Sequence, residues 1–520
     1  MQCVQRAIES LNPLKNSMES NRRTFLKALT LAPLTGSVLD TENELPQIEP
    51  DVQPVFALNK IGSIKLVQPK DIKSSPFGIG CETLDRELWD PKEVYPFLTD
   101  LPVKWARLQT GWNRVEKEKG KYDWKWLDES VDGLISRGIQ PFFNVGYGNK
   151  FYTEGEMGFH PMDKPEALKA FKAFVTALAK RYHGRVQYYE IWNEPNLGGF
   201  WQGGKVDPKK YVGLVKETAP LIRKNCPGSV IVGGVVSRLP IVFIKGLFNA
   251  GLAEEIDIFS FHPYTSAPES YNDKIIAVTR LVKQHNPKVK IWQGENGFSS
   301  QPNSTGYPGE GPYSENIQAK IMLRRLLTDV SLGIPMTLWF LVVDLHDYPK
   351  GSGKVNYKGI LRTKPNIEPK VAYKVLQNLG SVVHGDVNPA NATIYILDGE
   401  KAGDKKEYSA MENCEMRGMP NLNSTLLNTA KGKVLAYWNM DKPADTTPGK
   451  TAHVFLWDWE AHGFEDAVLV DPLDGTIYEL TDQEKFYDKN KLSTELEAQV
   501  FRKLPLRDYP MLIMEKKSVI

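Results

Sequence analysis

The sequence predicts an α/β fold, a (β/α)8 TIM barrel followed by an antiparallel β-sandwich, on three observations. Short apolar stretches alternate with amphipathic ones from residue 76 to 375. Eight strand candidates fall in that span, which is the barrel count. From residue 376 onward the alternation stops, and short β-branched runs succeed one another between Asp, Gly and Pro turns. Parallel strands need a crossover long enough to hold a helix, whereas antiparallel ones can be joined by tight turns, so the change of rhythm marks a change of sheet type.

Residues 1–45 read as a leader. Asn21-Arg22-Arg23-Thr24-Phe25-Leu26-Lys27 precedes a mildly apolar run, Ala28 to Leu39, too short and too polar to span a bilayer. It resembles a twin-arginine export signal, which implies a bacterial protein exported in folded form to the periplasm or beyond. Residues 46–75 are Pro-rich and acidic, then strand-like from Ile61 to Val67, and are expected to be a linker and an edge strand. The barrel strands are expected at Phe77–Cys81, Val103–Gln109, Gln140–Val145, Gln187–Glu194, Ser229–Ser237, Ile256–Tyr264, Lys290–Glu295 and Met336–Val343. Helices are expected between them, at Trp124–Ser136, Pro165–Tyr182, Lys209–Lys224, Asp273–Gln284 and Ser314–Leu332. A doubly wound open sheet is the rival, but no Gly-rich phosphate turn follows the first strand. The accessory domain, 376–520, takes strands at Ala392–Leu397, Val434–Trp438, His453–Trp457, Ala467–Val470, Thr476–Leu480 and Met511–Met514, with Lys401–Lys433 as a long polar loop.

Composition narrows the function. A net charge of +2 gives no electrostatic argument for nucleic acid or an anionic membrane, and no run is long and apolar enough for a membrane span. Twelve Trp and 21 Tyr suit sugar rings, whose apolar C–H faces stack on aromatic planes. Cys3, Cys81, Cys226 and Cys414 are too scattered for a disulfide framework and form no CxxC pair. Asp344-Leu345-His346-Asp347 gives no coherent ligand face, so neither a metal nor a cofactor is expected.

Two strand ends carry the chemistry. Tyr188-Tyr189-Glu190-Ile191-Trp192-Asn193-Glu194-Pro195-Asn196 runs as a strand and stops where Pro195 cannot donate to a ladder. Val289-Lys290-Ile291-Trp292-Gln293-Gly294-Glu295-Asn296-Gly297 repeats the pattern. Barrel enzymes keep their reacting groups at the carboxyl ends of strands. Glycoside hydrolysis with retention needs two carboxyls about 5 Å apart, which the fourth and seventh strand tips can supply across a barrel mouth. Asn193 and Glu194 are consecutive, so both reach one sugar only if the strand breaks there.

Trp-Asn-Glu-Pro-Asn and Gly-Glu-Asn-Gly resemble the retaining glycoside hydrolases of clan A, and most of all glycoside hydrolase family 39, the β-xylosidase and α-iduronidase group. That resemblance implies Glu194 as acid/base, Glu295 as nucleophile and Asn193 as the group on the sugar 2-hydroxyl. It includes a His-x-Tyr on the sixth strand, matched by His262 and Tyr264, with the tyrosine positioned to donate to the nucleophile. It also places an arginine near the nucleophile, matched by Arg107, a charge isolated in an apolar strand. Trp339 is a candidate floor for the first sugar subsite or plain core. Phe200, Trp201 and Gln202, in the Gly-rich loop after the fourth strand, are candidates for outer subsites or for packing on the rim. The expectation is an exo-acting, β-xylosidase-like hydrolase of a β-linked oligo- or polysaccharide. An endo-acting clan A glycanase and a non-catalytic carbohydrate-binding barrel are the alternatives, the latter disfavoured because both positions are glutamate.

Overall fold

The computed structural model describes residues 58–398, 421–446, 449–458, 460, 463–487 and 497–520. The leader at 1–45, the first part of the linker, Cys3, Cys414 and residues 401–420 of the expected loop lie outside the described residues. Cys81 and Cys226 are buried free thiols.

The first described strand, β1 (Lys60–Ser63), does not join the barrel. It pairs antiparallel with Thr476–Glu479 at the edge of a sandwich sheet, so the chain touches the accessory domain before the barrel begins. Eight parallel strands then close on themselves: β2 (Phe77–Gly80), β3 (Trp105–Gln109), β4 (Gln140–Val145), β5 (Tyr188–Ile191), β6 (Val230–Ser237), β7 (Ile258–His262), β8 (Lys290–Gln293) and β9 (Thr337–Trp339). β9 returns to β2 through Thr337↔Phe77 and Trp339↔Ile79. Their near-continuous burial is what a sheet covered by helices on one side and filled by side chains on the other requires. The crossover helices start where their sequences say they should. Asp207 caps Pro208–Asn225 by accepting from the Lys209 N–H, proline opens both that helix and Pro165–Tyr182, and basic residues close the last turn of each.

The strand ends differ from expectation in one consistent way. The first, fourth, sixth, seventh and eighth strands stop short, at Gly80, Ile191, His262, Gln293 and Trp339, and Asn193, Glu194, Tyr264 and Glu295 lie just beyond the fourth, sixth and seventh of those ends. No membrane-crossing helix, long and apolar enough for that role, is found among the described residues.

Two antiparallel sheets form the accessory domain. One runs in the order β1, Thr476–Glu479, Ala467–Asp471, Met511–Glu515, Gly432–Asn439, Leu422–Thr429, Asn388–Pro389. The other runs Ala392–Asp398, Lys450–Asp458, Glu497–Leu506, Gln483–Tyr487. Leu422–Thr429 corrects the long-loop expectation for 401–433, at least in its described part. Its Asn, Ser and Thr dilute the apolar alternation, yet it zips to Gly432–Asn439 over a tight hairpin with only Leu426, Leu427 and Thr425 buried.

Helix Glu315–Ser331 is charged in sequence but buried along most of its length, because it lies between barrel and sandwich. Towards the barrel, Asp329 accepts from Gln293 of β8 and Thr337 of β9. Towards the sandwich, Lys320 meets Asp508 at 2.9 Å, and Arg324 donates to the Met440 and Asp441 carbonyls. Arg324 also grips Glu269 with two bonds of 2.8 and 2.6 Å, and Trp438 donates to the same carboxylate at 2.7 Å. Burial alone would raise the Glu269 carboxyl; the Arg324 guanidinium outweighs it and holds the group below its ordinary value. Arg324→Met therefore strands a buried anion, and we expect a loss of about 3–5 kcal/mol in urea melts at neutral pH. Because the folded value is the depressed one, that difference is full above the ordinary Glu value and shrinks as pH falls through it. A variant as stable as wild type at neutral pH contradicts this account of the junction.

Candidate active site

The chain leaves the sheet after Ile191. Trp192 and Glu194 both adopt left-handed backbone, with φ of 67° and 44°, a conformation that side-chain-bearing residues rarely take. The break is held from both sides. Trp192 N–H donates to Val145 of β4, Asn144 donates to the Trp192 carbonyl, and Glu194 N–H donates to Val235 of β6. Val235 is itself left-handed, at a bulge between Gly234 and Val236. The consequence is that Asn193 and Glu194, which a regular strand would aim at opposite faces, both belong to one buried network.

Arg107 of β3 is the hub of that network. It is wholly buried, and its N–H donors are all taken. Nε donates to Glu190 Oε1 at 2.7 Å; Nη2 donates to Glu190 and to Asn193 Oδ1 at 2.8 Å; Nη1 donates to Glu295 Oε2 at 2.6 Å and to Glu82 Oε1 at 3.2 Å. Asn193 accepts through its oxygen, which turns its amide N–H2 away from the arginine. Glu190 is held further by Asn144 at 3.0 Å and Ser260 at 3.2 Å. Gly294 is required by this crowding: a Cβ there would lie 2.2 Å from Ser260 Oγ and 3.2 Å from Glu190 Oε2.

Glu194 and Glu295 face each other in unlike surroundings. One oxygen of each, together with a His262 ring nitrogen, lie within 4.8 Å of one another. Glu295 takes a donor on either oxygen, Tyr264 O–H on Oε1 and Arg107 on Oε2, both at 2.6 Å. That is the arrangement an ionised carboxylate takes. Burial keeps the Tyr264 phenol protonated, and the neighbouring Glu295 charge reinforces it. Glu194 lacks a cation at bonding distance. Burial pushes its carboxyl up to about 7, against the pull of Ser237 and the more distant Arg107, Arg238 and Lys358. Its partner is His262 Nδ1 at 3.0 Å, and burial drives that imidazole down to about 4, so it is neutral at neutral pH. A neutral neighbour leaves the proton on Glu194, where a cation would draw it off.

The three groups also have the mutual spacing of a cation site, on the same atoms. The Asp344 stretch does not: Asp344 pairs with Lys370 at 2.7 Å, and Asp347 caps the Gly351 and Gly353 N–H groups.

The structure brings Arg107, Asn193, Glu194, His262, Tyr264 and Glu295 together. It does not bring the two tryptophans. Trp339 is wholly buried, with its indole N–H on the Lys358 carbonyl at 3.1 Å, and offers no open face to a sugar. Trp201 is equally buried, stacked on His160 at 4.0 Å and edged by Trp192 and Tyr211. Consecutive residues of that loop point oppositely, so Trp201 goes inward while Phe200 stays part-exposed against Tyr147 at the rim. Glu190, Asn144, Glu82 and Lys358 were not anticipated. Glu190 carries the same signal that singles out Arg107, a lone charge in an apolar strand; the others carry none. Lys358 is a buried lysine whose ammonium lies 5.8 Å from the Tyr264 ring, with burial lowering it to about 8 against the pull of Glu295 and Glu194.

The model of glycosyl hydrolases family 39 matches residues 107–293, from the hub arginine to the end of β8. A β-xylosidase of Geobacillus stearothermophilus is 27% identical over 159 residues, covering 28% of this chain, and the match spans 31% of that relative's length. A family 39 glycoside hydrolase from Bacteroides cellulosilyticus WH2 superposes with a TM-score of 0.60 over 86% of this chain and 82% of its own, at 17% identity. A family 30 subfamily 8 xylanase from Clostridium acetobutylicum superposes with a TM-score of 0.52 over 88% and 97%, at 10% identity. The last two share the fold, barrel and sandwich together. The family 39 match takes in Arg107, Glu190, Asn193, Glu194 and His262 and ends just before Glu295, and the chain spans about a third of the length of the β-xylosidase it matches.

Proposed function

We propose that the chain hydrolyses β-linked glycosides with retention of configuration, exo-acting and β-xylosidase-like. The observation that carries this is the approach of Glu194 and Glu295 to within 4.8 Å in environments that keep one protonated and serve the other with two donors. A separation of about 5 Å leaves no room for a water between carboxyl and sugar, so the second carboxylate attacks directly.

In the first step a Glu295 oxygen bonds to the anomeric carbon while Glu194 gives its proton to the glycosidic oxygen. The bond to the leaving alcohol breaks, and the sugar remains as an ester of Glu295. In the second step Glu194, now a carboxylate, takes a proton from a water whose oxygen bonds to the anomeric carbon. The ester breaks, and the electron pair returns to Glu295, where Arg107 and the Tyr264 hydroxyl receive it. The Asn193 amide N–H2, turned away from Arg107, donates in this reading to a sugar hydroxyl beside that carbon. Exo action is supported by enclosure, since Glu194 and Glu295 are 6% and 8% exposed. A xyloside is supported by what the Geobacillus relative is called. Export is supported by the twin-arginine-like leader, and cell fractionation checks it.

Assay on a panel of aryl glycosides and xylan fragments tests the reading and its substrate. Glu194→Gln and Glu295→Gln should each lose about 10²-fold or more in turnover while melting close to wild type. With Glu295 replaced by glycine, azide should yield the glycosyl azide of inverted configuration, and with Glu194 replaced, the retained one. Near-wild-type rates in both variants end the assignment. For substrates whose leaving group needs a proton, kcat/KM should fall above about pH 7, the value set by Glu194. A profile flat through pH 8 contradicts Glu194 as the acid.

A further inference from the structure

Glu82 follows the first barrel strand and has no part in the steps above. Its side chain is 1% exposed. Oε1 accepts from Arg107 Nη1, the nitrogen that also serves Glu295, and its bond is the longer of the two, 3.2 against 2.6 Å. Oε2 is buried with no hydrogen-bond partner. It sits over Gly80, where a Cβ would lie only 2.2 Å away, so the absence of a side chain at Gly80 makes the space that keeps this carboxyl inside. Arg107 carries one positive charge and touches three carboxyl groups, Glu190, Glu295 and Glu82. Three anions on one buried cation leave charge uncompensated in a dry site, and the group with the weakest hold on the cation is the one that keeps a proton.

We propose that Glu82 is a positioning residue that works as a neutral acid: protonated on Oε2, it accepts the second Nη1 N–H of Arg107 through Oε1 without adding a third negative charge, and when ionised it draws the guanidinium towards itself and loosens its hold on Glu295. The proposal rests on the reading of Glu295 as nucleophile. Burial lifts Glu82 to about 8, with Arg107 pulling down and Glu295 pushing up. The other titratable groups that feel it are Cys81 on its own turn, Tyr264 after β7 and Tyr348 in the loop after β9, all of which stay protonated in this range because burial raises them. Lys358, lowered to about 8, and Glu194, raised to about 7, are the neighbouring groups expected to titrate close to the same pH.

The test is kcat/KM from pH 5 to 9.5 on an aryl glycoside whose leaving group needs no proton, so that Glu194 drops out of the alkaline limb. Wild type should fall above about pH 8, and Glu82→Gln, which cannot ionise, should fall less steeply and later, leaving the Lys358 titration. Glu82→Ala leaves an Arg107 donor unmatched and should lose about ten- to hundredfold in kcat at every pH with KM little moved. Superimposable alkaline limbs for wild type and Glu82→Gln overturn the proposal. Melting temperatures give an independent arm. The folded value lies above the unfolded one, so the stability Glu82 contributes is full at low pH and is lost as pH rises towards 8. Wild type should therefore lose ground to Glu82→Gln from pH 5 to 8, and parallel curves overturn the idea. If instead Glu295→Gln keeps wild-type activity, the nucleophile assignment has failed, which a dead Glu295→Gln with superimposed limbs would not imply.

Discussion

The guanidinium of Arg107 is the constraint on which the barrel mouth depends. A buried arginine with any donor unmet is costly, and this one is met in full by Glu190, Asn193, Glu295 and Glu82. Its planar fork fixes those acceptors in one plane and thereby fixes three strand ends, β2, β5 and β8, relative to β3. The positions of Glu295, of the Asn193 amide and of the turn after the first strand are all set by one side chain. Removing it would leave three carboxyl groups together in a site without the cation that makes their company tolerable.

The same hub explains why two chemically identical glutamates differ. Arg107 reaches Glu295 directly and Glu194 only through space, while His262, neutral because it is buried, takes the place a cation would hold beside Glu194. Proximity of the two carboxyls is thus compatible with opposite protonation states. The geometry that permits it is strained. Left-handed backbone at Trp192, Glu194 and Val235 is unfavourable for such residues, and persists because the flanking strands hydrogen-bond to Trp192 N–H, the Trp192 carbonyl and Glu194 N–H.

Much of this was legible in the sequence. The barrel follows from the strand–helix rhythm, and the two glutamates from matching strand-end contexts. Arg107 stood out as a lone charge among apolar residues. Glu190 carries the same signal, a lone charge in an apolar strand, four residues before Glu194. What could not be read was anything that depends on where a loop folds: Lys358 enters from the segment after β9, and Glu82 is seen only once Gly80 is known to leave room for it. Trp201 and Trp339, each open in sequence to a sugar-stacking or a packing role, take the packing one. Aromatic residues near an active site are as useful for holding the rim together as for stacking on a sugar, and only burial tells the two apart. In the sandwich, Leu422–Thr429 was hidden by polar residues on its part-exposed face, whereas β1 is the expected edge strand and only its partner, some 400 residues on, could not be read.

The measurement that bears most directly on the central claim is trapping of the covalent intermediate. An activated 2-deoxy-2-fluoro glycoside of the sugar the enzyme accepts slows the second step more than the first, so the ester should accumulate. Peptide mass mapping is then predicted to find one sugar per chain, attached to Glu295 and lost from Glu295→Gln. A label on Glu194 or another residue, or turnover with no ester formed at all, would contradict the account.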